Sequence, residues 1–142
     1  APPALPLQGN VLISVADKDK PAILETARRF LTLGFRIKAT SGTLAFLQNH
    51  GVPADRSYKV HEAQRPDIVD EIKNQDIQLV INTPVGKQSQ FDDGYLRKAA
   101  IKYKVPYLTT AAAARASVLG IAEYRAGRAG VKSLQEYHRE IP

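Results

Sequence analysis

The sequence predicts an α/β fold: three layers, α/β/α, around a five-stranded, parallel, doubly wound sheet. Three observations lead there. Short apolar runs rich in β-formers recur along the 142 residues. Between them lie segments whose apolar residues follow helical spacing. The two kinds alternate with no internal repeat, and strands joined through helices build a parallel sheet covered on both faces.

The elements follow in chain order. Ala1–Gly9, with Pro2, Pro3 and Pro6, reads as a linker from a preceding domain, and 10–142 as the folded domain. Asn10–Val15 is the first strand, apolar enough to be buried on both faces. Asp17 or Asp19 caps the next helix, Pro21 stands in its first turn, and Ile23, Leu24, Ala27, Phe30 and Leu31 form its inner face. Gly34 ends it, and Phe35–Ala39 is the second strand. Thr40 or Ser41 caps a helix that turns Leu44 and Leu47 inward and stops at Gly51. A weaker third strand lies between Pro53 and Val60, near Tyr58. After a polar loop, His61–Pro66, the pair Pro66-Asp67 opens a helix with Ile68, Val69 and Ile72 inside. Ile77–Asn82 is the fourth strand and Thr83–Gly94 a long loop. Tyr95–Lys102 is a helix and Val105–Thr109 the last strand. Thr110 caps an Ala-rich helix, Ala111–Leu119, and the tail carries a short helix, Ser133–Arg139.

Composition removes several function classes. The chain has no Cys, so it holds no thiolate nucleophile, Cys-ligated zinc or iron–sulfur cluster. It has no Met even at position 1, which reads as a piece of a longer protein. No apolar run approaches the roughly 20 residues of a membrane span, and the start is not a secretory signal. The net charge of +6 favours anionic partners. The basic residues are spread along the chain, however, and Tyr103, Tyr107, Tyr124 and Tyr137 are too scattered to stack bases, so no nucleic acid is expected. His50, His61 and His138 lack metal-ligand spacing, so no metal is expected. His61-Glu62 are adjacent and point apart, a poor acid–base pair. Asp92-Asp93 reads as a helix cap rather than a carboxylate dyad. The dinucleotide, P-loop and nucleophile-elbow signatures are absent.

A doubly wound sheet binds ligands beyond the carboxyl ends of its strands. Five loops should lie there: 15–20, 39–43, 59–65, 82–93 and 109–114. They carry Ser14, Asp17, Lys18 and Lys20; Thr40-Ser41-Gly42-Thr43; Lys59, His61 and Arg65; Asn82, Thr83 and Lys87; and Thr109-Thr110. A helix N-terminus offers unpaired N–H groups and a positive dipole end. Hydroxyls at Thr40, Ser41 and Thr43 add donors, Gly42 lets the backbone come close, and Lys20, Lys59 and Lys87 supply charge from three loops. Taken singly, Thr40, Ser41 and Thr110 are N-caps; taken together with the lysines they describe a phosphate pocket.

Several stretches then point to a family. They are Ile13-Ser14-Val15-Ala16-Asp17-Lys18-Asp19-Lys20, Ala39-Thr40-Ser41-Gly42-Thr43, Lys59-Val60-His61-Glu62, Val80-Ile81-Asn82-Thr83-Pro84, Tyr103-Lys104-Val105-Pro106-Tyr107-Leu108-Thr109-Thr110 and Ser133-Leu134-Gln135-Glu136-Tyr137. With these the chain resembles the methylglyoxal-synthase-like (MGS-like) domains. Within them it is most similar to the C-terminal allosteric domains of carbamoyl phosphate synthetase large subunits. The resemblance implies strand order 3-2-1-4-5 and an allosteric domain that binds UMP- or IMP-type nucleotides, and ornithine. It places effector-phosphate contacts on Ser14, Lys20, Thr40, Thr43, Lys59, Asn82 and Thr83, and matches Lys87 to a basic residue of the family. Pro84 stands where the family often has a second Thr, which loses a donor. No cofactor is implied in the domain itself. The parent would be a cytoplasmic ligase using ATP with Mg or Mn, partnered by a glutaminase small subunit, feeding pyrimidine and arginine synthesis. Methylglyoxal synthases need a catalytic Asp where this chain has Ala63-Gln64-Arg65, and a guanidinium cannot act as a carboxylate base. No catalytic residue is therefore expected. An enzyme on a small phosphorylated metabolite and a domain-docking module are the competing classes.

Overall fold

The computed structural model describes residues 4–84 and 90–140, with side chains for 4–84 and 91–128. Strands and helices alternate: β1 (Asn10–Ser14), α1 (Lys20–Thr32), β2 (Arg36–Ala39), α2 (Ser41–Asn49), β3 (Asp55–Arg56), α3 (Ile68–Lys73), β4 (Leu79–Asn82), α4 (Gln90–Lys102), β5 (Tyr107–Leu108) and α5 (Ala111–Glu140). Short 3-10 turns, Asp17–Asp19 and Val60–Glu62, follow β1 and precede α3. The sheet order is β3-β2-β1-β4-β5, and the paired strands are parallel. This is the fold and strand order expected from the sequence.

The period-2 alternation of strand side chains divides the core in two. Val11 and Ile13 of β1 and Leu79 and Ile81 of β4 face α1, α2 and α5, packing on Ile23, Phe30, Leu47 and Val118. Leu12 and Val80 face α3 and α4, meeting Ile68, Ile72 and Leu96. Both layers close within this one chain, as in a self-contained folding unit. At the amino edge Gly9 has φ +121°, and a Cβ there would stand 2.3 Å from Gln78 Oε1, so only glycine fits.

Several sequence expectations need correcting. The third strand is Asp55–Arg56, upstream of Tyr58, because the chain needs only two residues to pair with Lys38 and Ala39. The helix expected from Tyr95 begins at Gln90, so Asp92 and Asp93 lie in its first turn and are not caps before it. Negative charge near a helix start is favourable there too, which is why the two positions look alike in sequence. The last helix does not stop at Leu119. It runs through to Glu140, and buried Ile121 carries its apolar face past Gly120. A glycine inside a helix costs only about 1 kcal/mol, which continued packing offsets. Thr110 does cap it, accepting from Ala113 N at 3.0 Å. Asp19 holds the N-cap position of α1 and Thr40 that of α2, yet neither side chain makes a capping bond. Asp67 caps α3 as expected, accepting from Val69 N and Asp70 N.

Candidate functional site

The carboxyl edge of the sheet gathers polar side chains that the core would otherwise exclude. Ser14, Thr40, Thr43, Asn82 and Thr83 are each 2–5% exposed. They come from the ends of β1, β2 and β4 and from the first turn of α2. Buried polar groups must be hydrogen-bonded, and the partners here are specific. Thr43 Oγ1 accepts from Val15 N at 3.1 Å. Thr83 Oγ1 accepts from Ala16 N at 2.8 Å. Thr40 Oγ1 lies 2.8 Å from Ser14 Oγ and donates to it.

These bonds leave something over. Thr43 and Thr83 each spend an oxygen lone pair on a backbone N–H and keep the hydroxyl hydrogen. In the Thr40–Ser14 pair one hydrogen satisfies both oxygens and one remains. Among the described residues three O–H donors therefore remain along the carboxyl edge, those of Thr43 and the Thr40–Ser14 pair beside the start of α2, where Ser41, Gly42 and Thr43 carry the N–H groups that a helix cannot pair internally. The first intrahelical bond of α2 is Leu44 N to Thr40 O. Lys20 leans across from the start of α1: a Cβ placed on Gly42 would sit 3.5 Å from its Nζ. Lys20 pairs with Asp17, whose carboxyl it holds below the usual carboxylate range through that hydrogen bond and charge. Asp17 is open to solvent, so the pair is exchangeable for a better anion.

The structure thus brings together Ser14, Lys20, Thr40, Thr43, Asn82 and Thr83 of the expected residues. Lys59 stands before the turn at Val60–Glu62, its N–H donating to Glu62 Oε1; among the described residues its ammonium makes no ion pair. Lys87 lies outside the described residues. Pro84, exposed, follows Thr83 as the sequence requires.

Three residues were missed. Asn82 Nδ2 donates to Asp93 Oδ1 at 2.9 Å and to Tyr107 Oη at 2.7 Å. Burial pushes the Tyr107 phenol above its ordinary value, against the opposing pull of the Asn82 hydrogen bond, so it stays neutral. Asp92, also buried, accepts from His61 N at 3.1 Å and meets His61 Nδ1 at 2.5 Å. Only the true start of α4 reveals these contacts. His61 and Glu62 do point apart, Glu62 taking Arg56 at 2.6 Å. Arg65 turns outward and grips Asp70 with two bonds of 2.5 and 2.6 Å, holding that carboxyl low. Among the described residues no group of three or more His, Asp or Glu is placed to hold a metal ion. Among the described residues no helix is long and apolar enough to cross a membrane. Clefts also open at the opposite edge, lined by Gln8, Gly34, Arg36, Arg125 and Arg128, but no comparable buried polar cluster stands behind them.

Comparison with known proteins places the fold in a family. The family model for the MGS-like domain matches residues 22–109. The carbamoyl phosphate synthase large chain of Methanothrix thermoacetophila is 45% identical over 137 residues, 96% of this chain and 13% of its own length. The C-terminal section of that large chain from Aquifex aeolicus is 57% identical over 106 residues, 75% of this chain and 20% of its own. The corresponding section from Methanopyrus kandleri is 45% identical, covering 95% of this chain and 25% of its own. The chain therefore spans about an eighth of the full-length relative. Among solved structures, methylglyoxal synthase from Elizabethkingia anophelis shares the fold at a TM-score of 0.63 and 17% identity, covering 80% of this chain and 79% of that one. Fold, strand order and family model agree: the chain belongs to the MGS-like domain family.

Proposed function

We propose that this chain is the allosteric regulatory domain of a carbamoyl phosphate synthase large chain. Its ligand is a phosphorylated effector of the nucleoside monophosphate class, UMP or IMP, bound at the carboxyl edge of the sheet. The observation that carries this reading is the set of unspent hydroxyl hydrogens at Ser14/Thr40, Thr43 and Thr83, beneath Lys20 and the start of α2. A phosphate monoester offers acceptors to all of them, and charge-assisted bonds of this kind are the strong ones. Lys59 adds charge at the rim. Effector binding then biases the parent between two conformations in proportion to its differential affinity for them.

In this proposal the domain binds and does not turn over. The bond-making belongs to the parent, which joins bicarbonate, glutamine-derived ammonia from its small subunit and phosphate from two ATP with Mg or Mn, in the cytoplasm, for pyrimidine and arginine synthesis. Ornithine is a second effector, bound toward the neighbouring part of the large chain. Supporting this division, Arg65 stands where a synthase needs its carboxylate, and is committed to Asp70. The test is calorimetric titration of the 142-residue chain with UMP, IMP, ornithine and inorganic phosphate. Saturable nucleotide binding, lost in Lys20→Ala, is expected. Failure of both nucleotides and of phosphate to bind refutes the site.

A further inference from the structure

The amino edge of the sheet, opposite the hydroxyl cluster, carries a charged feature of its own. Two clefts of about 580 and 610 Å³ open there and share Gln8 and Gly34, so they run together as one trough. Arg125 and Arg128 of α5 line one half, and Arg36, at the start of β2, lines the other. Among the described residues no Asp or Glu lines the trough, and none of the three arginines is ion-paired. Two of them are held in place. Arg125 donates to the Leu33 carbonyl, and the Arg128 guanidinium stands 5.7 Å from the centroid of the exposed Tyr124 ring. A guanidinium fastened by one contact keeps its other N–H groups for a carboxylate and loses less entropy on meeting one. Like charges gathered without a counter-charge repel, so an acidic partner gains by covering them.

The form of the trough and the path of the chain say what that partner is. The trough is long and open, and no buried polar cluster stands behind it, so a small anion there would lie in water. A single-stranded nucleic acid needs aromatic faces for its bases, and the Tyr124 face is taken by Arg128. An extended polypeptide with carboxylates in series needs neither a deep pocket nor a stacking platform. The chain also enters the domain along this trough. Leu7 and Gln8 line it, Gly9 stands against Gln78, Asn10 N donates to Gln78 Oε1 at 2.7 Å, and Asn10 Nδ2 donates to Asp76 O at 2.6 Å. The entry is therefore fixed. Any surface tethered through it is held beside the arginines at an effective concentration on the order of millimolar, where modest ion pairs suffice. We infer that the trough lined by Arg36, Arg125 and Arg128 is a docking surface for an extended acidic segment of the polypeptide that leads into this domain. The occupant rests on the reading of the chain as one domain of a large chain, whereas the charge and shape of the surface do not.

The first experiment titrates the 142-residue chain, whose core closes on itself, with blocked octaglutamate and with octaserine as the uncharged control. Nuclear magnetic resonance of the arginine side-chain N–H groups should show saturable shifts at Arg36, Arg125 and Arg128 with octaglutamate alone. Arg125→Gln combined with Arg128→Gln should weaken octaglutamate about tenfold, and Arg36→Gln, which breaks no hydrogen bond within the fold, about threefold. Lys98→Gln combined with Lys102→Gln removes the same charge from the exposed side of α4 and should change binding less than about twofold. The second experiment uses the full-length chain. Limited proteolysis ahead of Leu7 should release the domain about tenfold faster in the double arginine variant than in wild type, and at the wild-type rate in the double lysine variant. Equal weakening by the arginine and lysine variants overturns the inference, since net charge alone would explain it. So does displacement of octaglutamate from the three arginines by a lower concentration of octathymidylate, which would mark a nucleic-acid surface, or equal release rates in the full-length proteins. No readout involves a nucleotide, so failure of the effector site and failure of this inference are told apart, and the length of the full chain tests the parent reading separately.

Discussion

Replacing Thr43 by Val tests the anion site where stability and binding can be separated. The two side chains have nearly the same shape, so the substitution removes one oxygen and little else. That oxygen accepts from Val15 N at 3.1 Å, and Thr43 is 2% exposed, so the variant buries an unpaired N–H. The cost is about 1–3 kcal/mol, and a chain of this size should melt roughly 3–10 °C lower. The hydroxyl hydrogen disappears with the oxygen. A hydrogen bond to a charged group is worth about 1.5–3 kcal/mol, so affinity for a phosphate ester should fall by about 10- to 150-fold. Thr43→Ser supplies the control. It loses a methyl, costing about 1 kcal/mol in stability, but keeps both the acceptor and the hydrogen. Calorimetric titration and thermal unfolding of the three proteins should therefore rank Thr, Ser and Val differently for the two properties. Binding within twofold of wild type in folded Thr43→Val would refute the claim that the spare hydroxyl hydrogens form the site.

Other consequences are as direct. Gly42→Ala should raise melting slightly, since alanine favours the helix and the new methyl meets only Lys20 Nζ at 3.5 Å, yet weaken phosphate-ester binding by standing where the anion belongs, as paired melting and titration measurements would show. Ser57→Ala should raise stability by about 1 kcal/mol in denaturant unfolding, because it deletes a buried hydroxyl with no partner. Arg65→Ala should lower the melting temperature at neutral pH. Asp70 is held below its unfolded value by Arg65, so its stabilising share exists above about pH 4 and disappears as pH falls through the lowered value. The melting difference between Arg65→Ala and wild type should narrow as pH falls below about 4. Incubation of the chain with dihydroxyacetone phosphate should release no methylglyoxal, as a colorimetric assay would detect.

The sheet was legible because its signal is redundant. In β1 and β4 every residue from Val11 to Ser14 and from Leu79 to Asn82 is buried, so unbroken apolar runs mark them with no need of context. β3 offered no such run: Asp55 and Arg56 are both exposed, and they form a strand only because β2 supplies the backbone partners. The hydroxyls at 14, 40, 43 and 83 were legible as a set, since each falls at or one step beyond the end of a recognisable strand or at a helix start. Their roles were not. Thr40 looks like an N-cap in sequence and instead spends its hydrogen on Ser14, across 26 positions of chain. Likewise Asp93 and Tyr107 reach Asn82 from elements whose ends only packing defines.

Anion binding and catalysis place different demands on this edge, and the distribution of carboxylates separates them. Binding needs donors, and the fold supplies those wherever strand ends meet the start of α2, which is why proteins of different activity can share the architecture. Proton abstraction needs in addition a carboxylate or imidazole that reaches the substrate with an oxygen or nitrogen to spare. Here the acids nearest the edge are engaged. Asp92 takes both the N–H and the ring nitrogen of His61, and Asp93 takes the amide of Asn82. His61 spends Nδ1 on Asp92 and keeps Nε2 outside that bond, while the loop carrying Arg65 is fastened outward to Asp70. Gaining a carboxylate base would mean breaking one of these pairs, each of which also ties one element to another: α4 to the turn after β3 through Asp92 and His61, and α4 to β4 through Asp93 and Asn82. In the proposed function these bonds make the rim responsive to an occupant, because a ligand that competes for Asn82 or His61 would pull on the start of α4. On that proposal the ligand contacts double as tertiary fastenings, which is how occupancy would be passed to a neighbouring domain.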